Sequence, residues 1–478
     1  MNRREFLKQT AAASLAATAT RALAEPAGTK KWNVLYVFSD QHRAASLPGE
    51  PYSEVIAPTF ERFRRENLSM DRCISNYPLC VPHRGILISG LYPHQSKVVG
   101  NESSLEPGVP GLGETFQKAG YHTGYVGKWH LHNGEGQFVP KGPYRFGFEH
   151  WRVWSNTNKH YDGITFDAET GEKITVPGYQ PTRMTDQAIE FLGAQKGATK
   201  PWLLVVSWNP PHPPYNPPAE DQKLYDPATF KLRPNVRKPT PADRAVQPWG
   251  ALESDATLRQ ATQGYYGGVT AVDLEFARLL KTLKENGQEE NTIVIYTSDH
   301  GDMMGSHGHM AKQMPHEESS HVPFFIRHPQ FKKPRKSEAL FASVDIYPTL
   351  CGLAGVPVPS HCSGRDFSAH MQEKPGFKES EIVFLLNNQG PPNRQEVNTP
   401  TYRGLRTKTH TYAVQLDGKW VLYDNTKDPY QVKNLIQDPA NSKLIEEFNA
   451  ALIEWSKSVG DDFPYEAALK SYSSYPGA

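Results

Sequence analysis

Groups able to do acid–base and metal chemistry collect behind the apolar runs of this chain. Asp40, Gln41 and His42 follow the run Trp32–Phe38 in WNVLYVFSDQH. Lys128 and His130 follow a second run in HTGYVGKWH, and His212 follows a third in PWLLVVSWNPPHPPY. Asp299, His300 and Asp302 follow a fourth in NTIVIYTSDHGD. Asp40, Asp299 and the amide oxygen of Gln41 form an oxygen-rich set suited to a hard divalent cation such as Ca2+ or Mg2+, to which His300 adds a nitrogen or a hydrogen bond. Lys128, Lys312 and Arg84 are cations. A metal ion together with several cations points to an anionic centre on the substrate. A sulfate, phosphate or phosphonate ester fits, because its transition state spreads charge over peripheral oxygens.

Cys80 stands in NYPLCVPHRGILISG, where a loop enters a helix with Pro82 near the first turn. A helix N-terminus favours anions and thiolates. Arg84 lies one turn on and can reach the same anion. Taken alone, a cysteine is a small core residue; beside this set it reads as a nucleophile at an anion-binding helix end. The other cysteines are Cys73, Cys351 and Cys362, and no Cys-x-x-Cys pair exists. Four cysteines do not make a disulfide scaffold here, although Cys351 and Cys362 are spaced so that they could bridge.

These residues need a scaffold that brings strand ends together. Trp32–Phe38, the run ending near Gly127, Trp202–Ser207, Thr292–Thr297 and Val322–Ile326 read as buried strands. Helical patterns alternate with them in APTFERFRRENL, GLGETFQKAG, TDQAIEFLGAQ and VTAVDLEFARLLKTLKENG. The expected fold is α/β, with a mostly parallel central sheet flanked by helices on both faces. In such a sheet, ligands bind beyond the carboxyl ends of the strands. After about residue 374 short antiparallel strands turn at Asp417-Gly418, and NSKLIEEFNAALIEWSKSV reads as one amphipathic helix. The expected division is an export signal at 1–24, a catalytic α/β domain at 30–373 and a smaller α+β subdomain at 374–478.

The chain has 478 residues, with 52 Lys plus Arg against 51 Asp plus Glu, and no basic tract. Nucleic acid is therefore not expected as a partner, because counterion release needs clustered cations. The start, NRREFLKQTAAASLAATAT ending in Ala22-Leu23-Ala24, is similar to a twin-arginine export signal. No later run is long and apolar enough to span a bilayer. The reading is an exported bacterial protein, periplasmic or extracellular, with export machinery as a transient partner.

Cys-x-Pro-x-Arg leading into a glycine-bearing helix resembles the signature of the formylglycine-dependent sulfatases of the alkaline phosphatase superfamily. NVLYVFSDQHR, GYHTGYVGKWHL, PHPPY, TSDHGDMMGSHGHMAKQ and LYDNTKDPYQVKNL resemble the family's other segments in order, from Asn33 to about Leu435. The resemblance implies an alkaline-phosphatase-like fold and a sulfuric ester hydrolase. It implies that a formylglycine-generating or anaerobic sulfatase-maturating enzyme oxidises Cys80 to formylglycine, whose hydrate attacks sulfur. By the same resemblance Asp40, Gln41, Asp299 and His300 hold the metal, Ca2+ or alternatively Mg2+. Arg84 holds the modified residue, while Lys128 and Lys312 grip the sulfate oxygens. His212, with Lys312, protonates the leaving alcohol, and His130 takes a proton from the covalent hemiacetal sulfate to expel sulfate and restore the aldehyde.

The pattern departs from the family's commonest form in three places. His83 stands where serine is usual, Gln41 where a second aspartate is frequent, and His300 where asparagine is frequent. Gln and His at the latter two positions resemble choline-sulfatase-like and phosphonate-hydrolase-like members. Three readings follow: a sulfatase of sulfated carbohydrate; a phosphonate or phosphate ester hydrolase, or small-molecule sulfatase, on the same scaffold; and an unmodified binding protein. Asn101, His160 and Arg183 are candidate substrate contacts. The loops at 140–180, 210–255 and 385–400 are expected to set the choice of substrate.

Overall fold

The computed structural model of the chain describes residues 30–132, 138–154, 158–241, 243, 254–388 and 400–474. The export signal read at 1–24 lies outside the described residues, as do parts of the three substrate loops. The main sheet is built from β1 (Asn33–Asp40), β2 (Leu68–Met70), β3 (His122–Lys128), β4 (His150–Trp154), β5 (Trp202–Pro211), β6 (Thr292–Ser298), β7 (Phe324–Arg327) and β8 (Arg335–Ser337). Their order across the sheet is β8-β2-β7-β6-β1-β5-β3-β4. Every residue of β1 is buried. That explains its unbroken apolar run, since a central parallel strand is covered on both faces.

Alternate residues of β1 enter two separate cores. Val34, Tyr36 and Phe38 pack with the helices α2 (Cys80–Ser89), α3 (Leu112–Lys118) and α6 (Ser343–Ala354). Leu35 and Val37 pack with α1 (Pro58–Glu66), α4 (Gln180–Ala194) and α5 (Asp255–Glu285). β1 pairs in parallel with both β5 and β6, so Asp40, the end of β5 and the end of β6 reach the same edge. β3 is parallel to β5 and delivers Lys128 there too. The sheet is mostly parallel, as expected, but β7 runs antiparallel to β6 and β2. The segment after β6 stays at the carboxyl end of the sheet, and its one helix there, Glu317–Ser320, is a single short turn. The chain therefore re-enters without a crossover, which dictates an antiparallel pairing.

One stretch of sequence hid the true extent of its element. α5 starts at Asp255, well before the helical pattern read at Val269. Ser254 caps it by accepting from the Thr257 N–H, and the glycines that masked it are packing positions. A Cβ at Gly264 would strike the Tyr215 carbonyl, and one at Gly267 would meet Pro217. The loop after β5 thus lies directly on α5.

Downstream, β9 (Ile382–Asn387), β10 (Tyr402–Thr407), β11 (His410–Gln415) and β12 (Gly418–Asp424) form an antiparallel sheet in chain order. One face packs on α7 (Ser442–Val459) through Leu405, Tyr412, Leu422, Phe448 and Leu452. The other packs on Tyr77, Leu79, Ile86, Met303 and Met314, which flank Cys80 and Lys312. This sheet belongs to the same compact unit as the catalytic strands.

Candidate active site

Cys80 is the first residue of α2, and the whole helix is buried. No side chain caps it from the preceding Leu79. Asn101 does so from a distance: its Oδ1 accepts from the Val81 N–H at 3.2 Å. Asn101 therefore acts on the helix end that carries Cys80. Gly90 ends the helix in a left-handed conformation, φ 72°.

Around Cys80 Sγ stand His300 Nε2 at 3.3 Å, Lys312 Nζ at 3.2 Å and Asp40 Oδ1 at 3.5 Å. Arg84 Nη2 donates to Asp40 Oδ2 at 3.1 Å and to Asp299 Oδ2 at 3.4 Å. Its Nη1 donates to the Lys128 carbonyl and to Ser207 Oγ, and its guanidinium lies 4.9 Å from the Phe38 ring centroid. Lys128 Nζ donates to Asp40 Oδ2 at 2.7 Å and to Asn158 Oδ1 at 3.1 Å. Lys312 Nζ donates to Gln41 Oε1 at 2.7 Å. Ser207 and Asn158 escaped sequence reasoning, because a serine inside an apolar strand and an asparagine in a loop carry no signal of their own.

The electrostatics follow from this crowding. Burial alone would raise the Asp40 pKa, but Lys128, His212, Lys312 and Arg84 hold it well below the usual carboxylate range. Burial and Asp40 push the Cys80 thiol up, while Lys312, Lys128 and His300 outweigh them and lower it. Burial also opposes charge on Lys312, yet Cys80, Asp40 and Asp299 raise its pKa. His212 and His130 are both held well below 6.5, first by burial and then by the neighbouring Lys312 or Lys128. The backbone is forced as well. Gln41 and His130 take positive φ, as do Ala311 and Gln313 on either side of Lys312. Such conformations cost about 1–3 kcal/mol each and persist where the surroundings over-determine them.

Asp40, Cys80, Asp299 and His300 are fully buried and present donor atoms all within 4.8 Å of one another. His300 Nδ1 lies 3.0 Å from the Gly301 carbonyl, which can only accept. Nδ1 therefore donates there and Nε2 faces Asp40 and Asp299; burial opposes charge on this imidazole, but Asp299 and Cys80 raise its pKa, so a cation bound at Nε2 would displace a proton. Two carboxylates, the Gln41 amide oxygen and this nitrogen fit a hard divalent cation. His212 shows the same device: Nδ1 donates to the Pro213 carbonyl at 2.6 Å, leaving Nε2 for the pocket.

The remaining expected residues divide. His160 is buried, has an unpartnered Nε2, and its pKa falls to about 4 through burial and the charge of Lys128, so it adjoins the site. Arg183 does not join it: exposed on α4, it donates to the Pro177 carbonyl and pairs with Asp186. Asp302, which follows the same strand as Asp299 and His300, is fully buried and binds Gln41 and Tyr215. Both partners are remote in sequence, which is why its part was not legible there.

Comparison with known proteins bears on this arrangement. A family model described as Sulfatase matches residues 32–356, and one described as N-sulphoglucosamine sulphohydrolase, C-terminal, matches 305–458. The chain is 32% identical to an ulvan-active sulfatase of Formosa agariphila, over 93% of this chain and 84% of that one. It is 29% identical to an endo-4-O-sulfatase of Bacteroides thetaiotaomicron, over 93% and 95%. A solved structure of a putative sulfatase from Bacteroides fragilis superposes with a TM-score of 0.79 at 28% identity, over 93% of this chain and 99% of that one.

Proposed function

The chain belongs to the sulfatase family and is a sulfuric ester hydrolase; we propose that it removes sulfate from a sulfated carbohydrate through an oxidised Cys80. The observation that carries this reading is the placement of Cys80 Sγ within 3.5 Å of Asp40, His300 and Lys312 at a buried helix N-terminus. A cysteine needed only for packing has no reason to sit among three charged or titratable groups. Relatives named ulvan-active sulfatase and endo-4-O-sulfatase support a glycan substrate.

In this reading a formylglycine-generating or anaerobic sulfatase-maturating enzyme converts Cys80 to an aldehyde, whose hydrate supplies the attacking oxygen. A Ca2+ ion, or Mg2+, held by Asp40, Gln41, Asp299 and His300 would neutralise charge on the ester oxygens. Lys128 and Lys312, whose ammonium groups stand beside Asp40 and Gln41, would bind those oxygens as well. Arg84 fixes Asp40 and Asp299 and holds residue 80 in its reactive form. His212 delivers a proton to the leaving alcohol from Nε2. A bound sulfate ester draws the His212 pKa back up by offsetting Lys312, so the proton arrives with the substrate. His130 then takes a proton as sulfate departs. Asn101 acts through α2, His160 meets the sugar, and Arg183 lies at the margin of any extended substrate.

Export fits the leader at 1–24, with Arg3-Arg4 and its alanine-rich run. Among the described residues no helix is long and apolar enough to cross a membrane. A periplasmic or extracellular place, where large sulfated polysaccharides occur, matches this substrate class. The division at about residue 374 separates the catalytic strands from the sheet that backs Lys312.

The test is release of inorganic sulfate from a panel of sulfated oligosaccharides, with phosphonate and phosphate monoesters run in parallel. Glycan sulfate turnover at least about 100-fold more efficient than phosphonate turnover supports the reading. The reverse order would assign the chain to phosphonate chemistry.

A further inference from the structure

Gln41 is an ambiguous ligand. Its amide can turn either an oxygen or an NH2 group toward a cation, and only the oxygen binds one. Nothing in the residue itself decides between them. In this structure Gln41 Nε2 lies 2.5 Å from Asp302 Oδ2, and Gln41 Oε1 lies 2.7 Å from Lys312 Nζ. A carboxylate only accepts and an ammonium only donates, so both partners demand the same orientation. Asp302 is fully buried, and its two oxygens accept four hydrogen bonds. Oδ1 takes the Met304 and Ala311 N–H groups, each at 2.9 Å, closing the loop that precedes Lys312. Oδ2 takes Gln41 and the Tyr215 hydroxyl, the latter at 2.8 Å on the loop that carries His212.

We propose that Asp302 is a positioning residue that turns the Gln41 amide oxygen toward the cation site and ties to it the loops bearing Lys312 and His212. Gln41 and Asp302 are then a matched donor–acceptor pair. An acid at position 41 would place two carboxylates against each other where one hydrogen bond now stands. This inference rests on the reading of Asp40, Gln41, Asp299 and His300 as a cation site.

The pair makes a prediction whose sign opposes simple charge counting. Adding a negative ligand ordinarily tightens a Ca2+ site. Here Gln41→Glu weakens Ca2+ binding, because the new carboxylate is driven from Asp302. Asp302→Asn also weakens it, by about 10- to 100-fold, the usual cost of losing a partner that orients a ligand. The combination Q41E/D302N restores binding to within about threefold of wild type. In it the new amide at position 302 donates to the new carboxylate at position 41, and its oxygen still accepts from the Met304 and Ala311 N–H groups.

The experiment is calorimetric titration of Ca2+ into chelator-treated wild type, Q41E, D302N and Q41E/D302N, at pH 8. Mutual rescue in the double variant supports the proposal and is not produced by a merely structural role. Should D302N fail to fold, the comparison of Q41E with the double variant decides the matter alone. D302N binding as wild type does, or Q41E binding more tightly than both wild type and the double variant, would overturn it. Absence of Ca2+ binding by wild type would overturn the cation site itself and this inference with it.

Discussion

At the scale of single residues, the site is an economy of opposed charges. Asp40 alone touches Arg84, Lys128 and Cys80 and lies near His300. Removing one member of such a buried set leaves its partners uncompensated, at a cost of about 3–5 kcal/mol. Cys80 differs, since it carries no obligatory charge and fills a small volume. Cys80→Ala is therefore expected to abolish turnover, by at least about 10⁴-fold, while the thermal midpoint moves by about 2 °C or less. Sulfate release assays and a melting curve on the same sample check this. Near-normal activity in that variant would remove the nucleophile from the mechanism. Most of these residues were legible in the sequence because they stand directly behind apolar runs. Ser207 and Asn158 were not, and the role of Asp302 was not, because each matters through a partner 30 or more positions away. Arg183 looked plausible by position and is turned toward Pro177 and Asp186 instead.

At the scale of elements, the parallel sheet does the gathering. β1, β3, β5 and β6 run in register, so four strand ends deliver Asp40, Lys128, His212 and Asp299 to one edge. This much followed from the strand patterns and the rule that ligands bind beyond carboxyl ends. The antiparallel β7 did not, because nothing in its own residues records the direction in which the chain returns. The close approaches were also hidden. Gly127 sits at φ 107°, and a Cβ there would collide with the Ser207 carbonyl, so β3 and β5 meet tightly just before Lys128. Gly264 and Gly267 do the same for α5 and the His212 loop. In the fold these glycines are contact surfaces. The C-terminal sheet, legible as antiparallel strands, turns out to brace the catalytic loop: Gln313, next to Lys312, donates to Asn387 Oδ1 on β9 at 3.2 Å.

At the scale of the whole molecule, burial of titratable groups sets the pH range of the fold. His42 is held at about 3, and His150, His160, His309 and His328 at about 4, each chiefly by burial. In the unfolded chain these imidazoles bind protons near pH 6.5. Between about 6.5 and 4 the unfolded state therefore holds more protons, and stability falls as pH falls. Asp221, Asp273 and Asp345, raised by burial to about 6, 6 and 7, act in the opposite sense, but the histidines outnumber them. The thermal midpoint is expected to drop by about 5 °C or more between pH 6.5 and pH 4.5. A flat or rising midpoint would contradict this balance. The same molecule keeps its most crowded charges where they serve chemistry, and the central claim concerns what becomes of residue 80 among them. The most direct measurement is mass spectrometry of the peptide containing residue 80, from protein made beside a sulfatase-maturating enzyme. The account predicts the mass of an aldehyde in place of the thiol, with sulfate release rising in proportion to the converted fraction. An intact Cys80 thiol in protein that nonetheless releases sulfate at full rate would contradict it.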